Sequence, residues 1–129
     1  MARPENIINS SDAPKAVGTY SQGVKFGGVC YFSGQIGLDA QSMEMASNFQ
    51  GQLDQILVNI DALLASEDLI REDILKTTVF LTDLANFGMV NQAYQKYFAD
   101  VSSYPARSCV EVSALPKEAL VEIEVIASK

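Results

Sequence analysis

Histidine is absent from all 129 residues. With it go the commonest general base near neutral pH, the usual Ser/His and Cys/His nucleophile pairs, and most zinc and iron sites. Cysteine is scarce: Cys30 and Cys109 stand far apart without CxxC spacing. They read as two thiols in a reducing compartment, and neither a metal site nor a cofactor is expected. There is no internal repeat and no long Pro, Gly or Ser tract, and 48% hydrophobic with 19% charged residues is the profile of an ordinary globular chain. One domain over 1–129 follows, large enough to bury about two thirds of the surface its unfolded chain exposes without disulfide staples.

Positive charge is also short. Nine Lys and Arg against sixteen Asp and Glu leave a formal charge of -7, which speaks against nucleic acid or an anionic membrane surface as partner. Long apolar runs are missing, since the best, Val79 to Leu81, is bounded by threonines and Asp83. No membrane span is expected. The N-terminus carries no apolar h-region, so the expected location is cytoplasmic.

What is present is a pattern of alternating elements. Val24–Phe26 and Val29–Ser33 flank Gly27-Gly28, a pair that tolerates the positive φ of a tight turn, and read as a hairpin. Phe49, Leu53, Ile56, Leu57, Ile60, Leu63 and Leu64 form the stripe of an amphipathic helix, with Ser47 and Gln50 placed for a capping box. Ile74 to Thr82 is apolar on both faces and reads as an interior strand. Asp83 can cap a second helix with the stripe Phe87, Val90, Tyr94, Tyr97, Phe98. Strands at 107–114 and 120–127, joined by a short linker, are expected to form an antiparallel hairpin. The fold class is α+β, with two helices covering one face of a sheet.

In that hairpin Val110 and Val112 share an apolar face with Val121, Ile123 and Val125, and the opposite face holds Arg107, Cys109, Glu111, Glu122 and Glu124. Those charges are either solvated or part of a contact. A partly apolar sheet face that its own helices leave uncovered usually meets another subunit, so a homo-oligomer is expected. Arg107, one of three arginines, then either pairs with a glutamate or binds a small carboxylate through its planar fork.

Pro105-Ala106-Arg107-Ser108-Cys109-Val110-Glu111-Val112, with Leu115-Pro116-Lys117 and Val121-Glu122-Ile123-Glu124 after it, resembles the signature of the Rid (RidA/YjgF) family of enamine/imine deaminases. Gly18-Thr19-Tyr20-Ser21-Gln22, Ser33-Gly34-Gln35-Ile36 and Lys76-Thr77-Thr78-Val79-Phe80 resemble further family segments in the right order, and the likeness runs from about 13 to 127. It implies a chorismate-mutase-like (YjgF-like) mixed sheet in a homotrimer, with the sheets forming a central barrel and sites between subunits. It also implies hydrolysis of 2-aminoacrylate and 2-iminobutyrate to 2-oxo acids and ammonia.

By the same resemblance Arg107 holds the substrate carboxylate and Glu122 positions or activates water, while Cys109, Tyr20, Ser33 and Asn91 line the pocket. Tyr20 could equally only pack, Ser33 only satisfy a turn, and Asn91 only support its helix. Cys109 lacks a histidine to activate it as a nucleophile. Missing histidine is no obstacle, because an imine is already electrophilic and a carboxylate with ordered water suffices. The chain departs from the family pattern at Thr19 and Gly37, where proline is usual and a looser loop is expected, and by lacking a glycine after the first helix. The rival readings are a non-catalytic binder of 2-oxo or amino acids and, against the charge balance, an RNA-cleaving protein.

Overall fold

The computed structural model describes residues 2–129. Eight principal elements follow one another: β1 (Ile7–Ile8), β2 (Gly23–Phe26), β3 (Val29–Gln35), α1 (Phe49–Ser66), β4 (Ile74–Leu81), α2 (Phe87–Tyr97), β5 (Ala106–Glu111) and β6 (Val121–Ser128). The strands form one sheet in the order β1-β2-β3-β6-β4-β5. All pairs are antiparallel except β4 with β5, which run parallel. The expected α+β class, mixed sheet and helix-covered face are present. Gly27 and Gly28 turn the β2–β3 hairpin with φ of 60° and 81°, as the pair was expected to do.

α1 exists because its stripe is continuous: Leu53, Ile56, Leu63 and Leu64 are essentially without solvent contact. They pack on Val79, Leu81, Val121, Ile123 and Val125 of the sheet. Truncating Ile56 or Leu63 to alanine would cost about 2–5 kcal/mol, enough to endanger the fold. The cap differs from expectation by one residue. Asn48 Oδ1, not Ser47, accepts from the Gly51 amide at 2.8 Å, because the chain enters the helix in extended geometry at Asn48. Asp83 caps as expected, its Oδ1 accepting from the Ala85 amide in a short 3-10 turn that leads into α2.

The helix α1 ends without its glycine yet keeps the geometry a glycine would give. Asp68 holds φ at 56°, and the amides of Asp68 and Leu69 donate to the carbonyls of Ala65 and Leu64 at 3.1 and 2.9 Å. This is a Schellman ending with Leu69 buried beneath it.

The expected hairpin between the last two strands does not form. β5 and β6 lie on opposite sides of β4, which pairs Thr77 with Arg107 and Val79 with Cys109 on one edge and Phe80 with Glu122 on the other. A short linker is compatible with either arrangement, and an interior β4 requires two neighbours. The consequence is a change of face. Arg107, Cys109 and Glu111 share the side of Thr77, Val79 and Leu81, facing the helices, while Val110 joins Phe80, Glu122 and Glu124 on the uncovered side. Arg107 and Glu122 therefore project from opposite faces of one sheet.

Candidate functional site

On the helix side, at the edge formed by β5, Arg107 is oriented by three side chains of α2. Its Nη1 donates to Asn91 Oδ1 at 2.8 Å, and its guanidinium carbon lies 5.1 Å from the ring centres of both Phe87 and Tyr94. The Tyr94 hydroxyl donates to Thr77 Oγ1 at 2.8 Å, fixing the ring from beneath. Burial pushes the Tyr94 phenol up to about 12, against the Thr77 hydrogen bond and the Arg107 charge, so it stays neutral. The ion pairs among the described residues are Lys25–Glu67 and Arg71–Asp61. Arg107 is in neither, which disposes of a structural pair with a glutamate within this chain and leaves its outer N–H groups for an anion. Tyr104, Pro105 and Gln95 complete a shallow pocket beside it.

Cys109 lies two residues further along β5, half-buried against the core. Burial raises its thiol, opposed in part by the Arg107 charge. The thiol form is favoured, which suits a ligand contact better than a nucleophile.

On the other face, Glu122 opens into a cleft whose lining includes Pro14, Val17, Tyr20, Ser33, Gly34 and Lys117. A bulge between Phe32 and Gln35 sets three steps of β3 against two of β6 and brings the backbone of Gly34 against the Glu122 carboxylate. A Cβ at Gly34 would collide with Glu122 Oε2 and approach its Cδ to 2.8 Å, so any larger residue there would force the carboxylate to shift. Desolvation, and then the charge of Glu124, raise the Glu122 carboxyl above its ordinary range. Ser33 is committed in part: its hydroxyl donates to the Ser21 carbonyl at 2.6 Å, leaving only lone pairs for a ligand. Tyr20 stands at the cleft mouth, 53% exposed.

The six sequence-identified positions thus fall into two groups, Asn91, Arg107 and Cys109 at one edge and Tyr20, Ser33 and Glu122 in the cleft. The structure does not bring the groups together within one chain. Sequence reasoning missed the buried amides of α1. Asn59 donates to the Leu38 carbonyl at 2.9 Å. Gln52 accepts from the Leu120 amide at 2.8 Å and donates to the Ala46 carbonyl at 3.0 Å. Both sit on the apolar arc of α1, and a polar residue interrupting such an arc is the signal that could have found them. Gly37 does not loosen its loop: a Cβ there would lie 2.6 Å from Gln52 Cα, so its missing side chain lets α1 pack closely.

The chain, a two-helix layer over a mixed sheet, matches known proteins over nearly its whole length. The endoribonuclease L-PSP family model matches residues 10–129. A RutC family protein of Aquifex aeolicus is 43% identical over 122 residues, covering 95% of this chain and 98% of the relative. TdcF of Escherichia coli, whose name carries the activity reactive intermediate deaminase, is 41% identical over 124 residues, covering 95% and 96%. The crystal structure of TdcF with bound serine superposes with a TM-score of 0.90 at 41% identity, over 95% of this chain and 98% of TdcF. The YyfA protein of Yersinia pestis, described as of the Rid family, gives 0.92 at 46% identity over 95% and 98%. The chain belongs to the Rid family, the group that the endoribonuclease L-PSP model and the RutC name also denote. None of its described helices is long and apolar enough to cross a membrane.

Proposed function

We propose that the chain is a reactive-intermediate deaminase that hydrolyses small enamine and imine acids, 2-aminoacrylate and 2-iminobutyrate among them, at sites shared between neighbouring copies in a homotrimer. The observation that carries this reading is the split of the site. A cation paired with no carboxylate of its own chain and a carboxylate with a raised pKa stand on opposite faces of one sheet. One ligand can meet both only if the Arg107 edge of one copy lies over the Glu122 cleft of another. The uncovered sheet face, with Tyr31 and Val110 exposed on it, supports such contact. That TdcF has been crystallised with serine supports a ligand of small amino-acid size.

The chemistry needs few groups. Arg107 would take the substrate carboxylate bidentately and fix the C=N carbon over Glu122. The enamine tautomerises to the imine and water adds to that carbon. Glu122 accepts the water proton and returns it to nitrogen. The carbinolamine hydroxyl then passes its proton, again through Glu122, to that nitrogen as the C–N bond breaks, releasing ammonia and leaving the 2-oxo acid. Glu122 with its raised pKa is better matched to that proton exchange than an ordinary carboxylate.

An amino-acid oxidase that generates 2-iminobutyrate in situ, run with and without the protein, tests the reading. Faster loss of the imine, with 2-oxobutyrate and ammonia formed in equal amounts, is expected. An unchanged rate together with 2-oxobutyrate binding would instead assign the chain to carboxylate binding without turnover.

A further inference from the structure

Residues 10–20 cross the Glu122 cleft as an irregular strap. Pro14, Lys15, Val17 and Tyr20 of this strap line the cleft, and Val17 and Tyr20 are each 53% exposed, so their own packing holds them weakly. One buried side chain ties the strap down. Gln22, 3% exposed, accepts from the Ser10 amide through Oε1 at 2.6 Å. Its Nε2 is directed at the carbonyls of Pro14, Ser10 and Ala13 at 2.8, 3.1 and 3.3 Å. Among the described residues no side chain outside the strap other than Gln22 hydrogen-bonds its backbone. The Gln22 carbonyl accepts from the Ser33 amide at 2.9 Å, so the same residue joins the strap to the strand that carries Ser33 and Gly34.

We propose that Gln22 is a positioning residue: its buried amide fixes the strap over the Glu122 cleft and thereby sets how tightly a substrate's side chain is held beneath Val17 and Tyr20. The claim rests on the deaminase reading of the cleft. It requires one group that accepts on one side and donates to several carbonyls on the other, and a primary amide does both, with one acceptor oxygen and two N–H donors. Gln22→Leu keeps the bulk and leaves the Ser10 amide and three carbonyls without their partner. Gln22→Glu adds a pH signature. Protonated, it can accept from Ser10 and donate to one carbonyl. Ionised, it turns an acceptor toward carbonyl oxygens and releases the strap.

The experiment compares the full-length wild type, Gln22→Leu and Gln22→Glu by amide hydrogen exchange, by 2-oxobutyrate binding and by deaminase kinetics. For Gln22→Leu, exchange is expected to accelerate at residues 10–20 and not in α1 or β4. The 2-oxobutyrate Kd and the KM should rise about tenfold with kcat within a few fold, the pattern of lost uniform binding. For Gln22→Glu the KM ratio to wild type should be near one at low pH and climb as pH rises. Wild-type Kd and strap exchange in Gln22→Leu would overturn the proposal. So would acceleration of exchange throughout the chain with no pH dependence in Gln22→Glu, which marks a merely structural residue. Absence of turnover in the wild type would defeat the deaminase reading alone, since exchange and binding are measured without turnover.

Discussion

Arg107 is held by what surrounds it, whereas Glu122 is held by what is missing beside it. The arginine is oriented by Asn91 and flanked by Phe87 and Tyr94, all on α2. The carboxylate occupies space that exists because Gly34 has no Cβ, under a strap with no regular secondary structure. Under the proposed function the difference separates binding from chemistry. An anion anchor gains from rigid packing on regular elements, while a group that exchanges a proton gains from partial desolvation at an irregular backbone. Placing the two on opposite sheet faces leaves each incomplete in one chain, and under the proposed function a second copy would complete the site.

The contrast can be broken at each end. Arg107→Ala should lower kcat/KM on the order of a thousandfold, because the substrate loses its anchor, while the assembly mass and circular dichroism stay unchanged. Glu122→Gln should lower kcat on the order of a hundredfold and remove the acid limb of the pH–rate profile, which in the wild type should lie above the ordinary carboxylate range. Its stability effect has the opposite sign. A raised pKa in the folded state means that folding disfavours the ionised form, a penalty absent below the unfolded value and growing as pH rises through the folded one. Glu122→Gln should therefore melt higher than wild type near neutrality, with the advantage gone below about pH 4.

Gly34→Ala sharpens the comparison, since it leaves both functional groups in place and only crowds the carboxylate. About tenfold lower kcat is expected, with a lower melting temperature and an unaltered Arg107 pocket as seen by 2D NMR. The smallest effect is expected far from either half. Asp68→Gly relieves a left-handed residue at the end of α1 and should add about 0.5–1 kcal/mol in urea titration without changing kcat/KM.

Much of this arrangement could be read from residue order. The stripes from Phe49 and Phe87 place both helices, Gly27-Gly28 places the first turn, and the apolar character of both faces of Ile74–Thr82 places β4 inside the sheet. Six candidate residues could be named from the sequence, but their division between the two faces could not. Alternation along β5 orders its side chains relative to each other, and only its pairing with β4 decides which set faces the helices. Val110 looks like core in sequence and is 43% exposed in the structure, whereas Cys109, on the opposite face, packs against the core. The two-residue β1 is too short to carry a periodic signal. Asp68 shows that the ending does not need the glycine: hydrogen bonds to Ala65 and Leu64 hold the left-handed turn with an aspartate in its place.

The central claim, that one catalytic unit takes Arg107 from one copy and Glu122 from another, is tested most directly by mixing two inactive variants. Arg107→Ala and Glu122→Gln chains, unfolded together in equal amounts and refolded, should recover about a quarter of wild-type imine hydrolysis, since a random assembly pairs an intact arginine with an intact glutamate at one site in four. Mixed assemblies demonstrated by native mass spectrometry yet as inactive as the separate variants would contradict it.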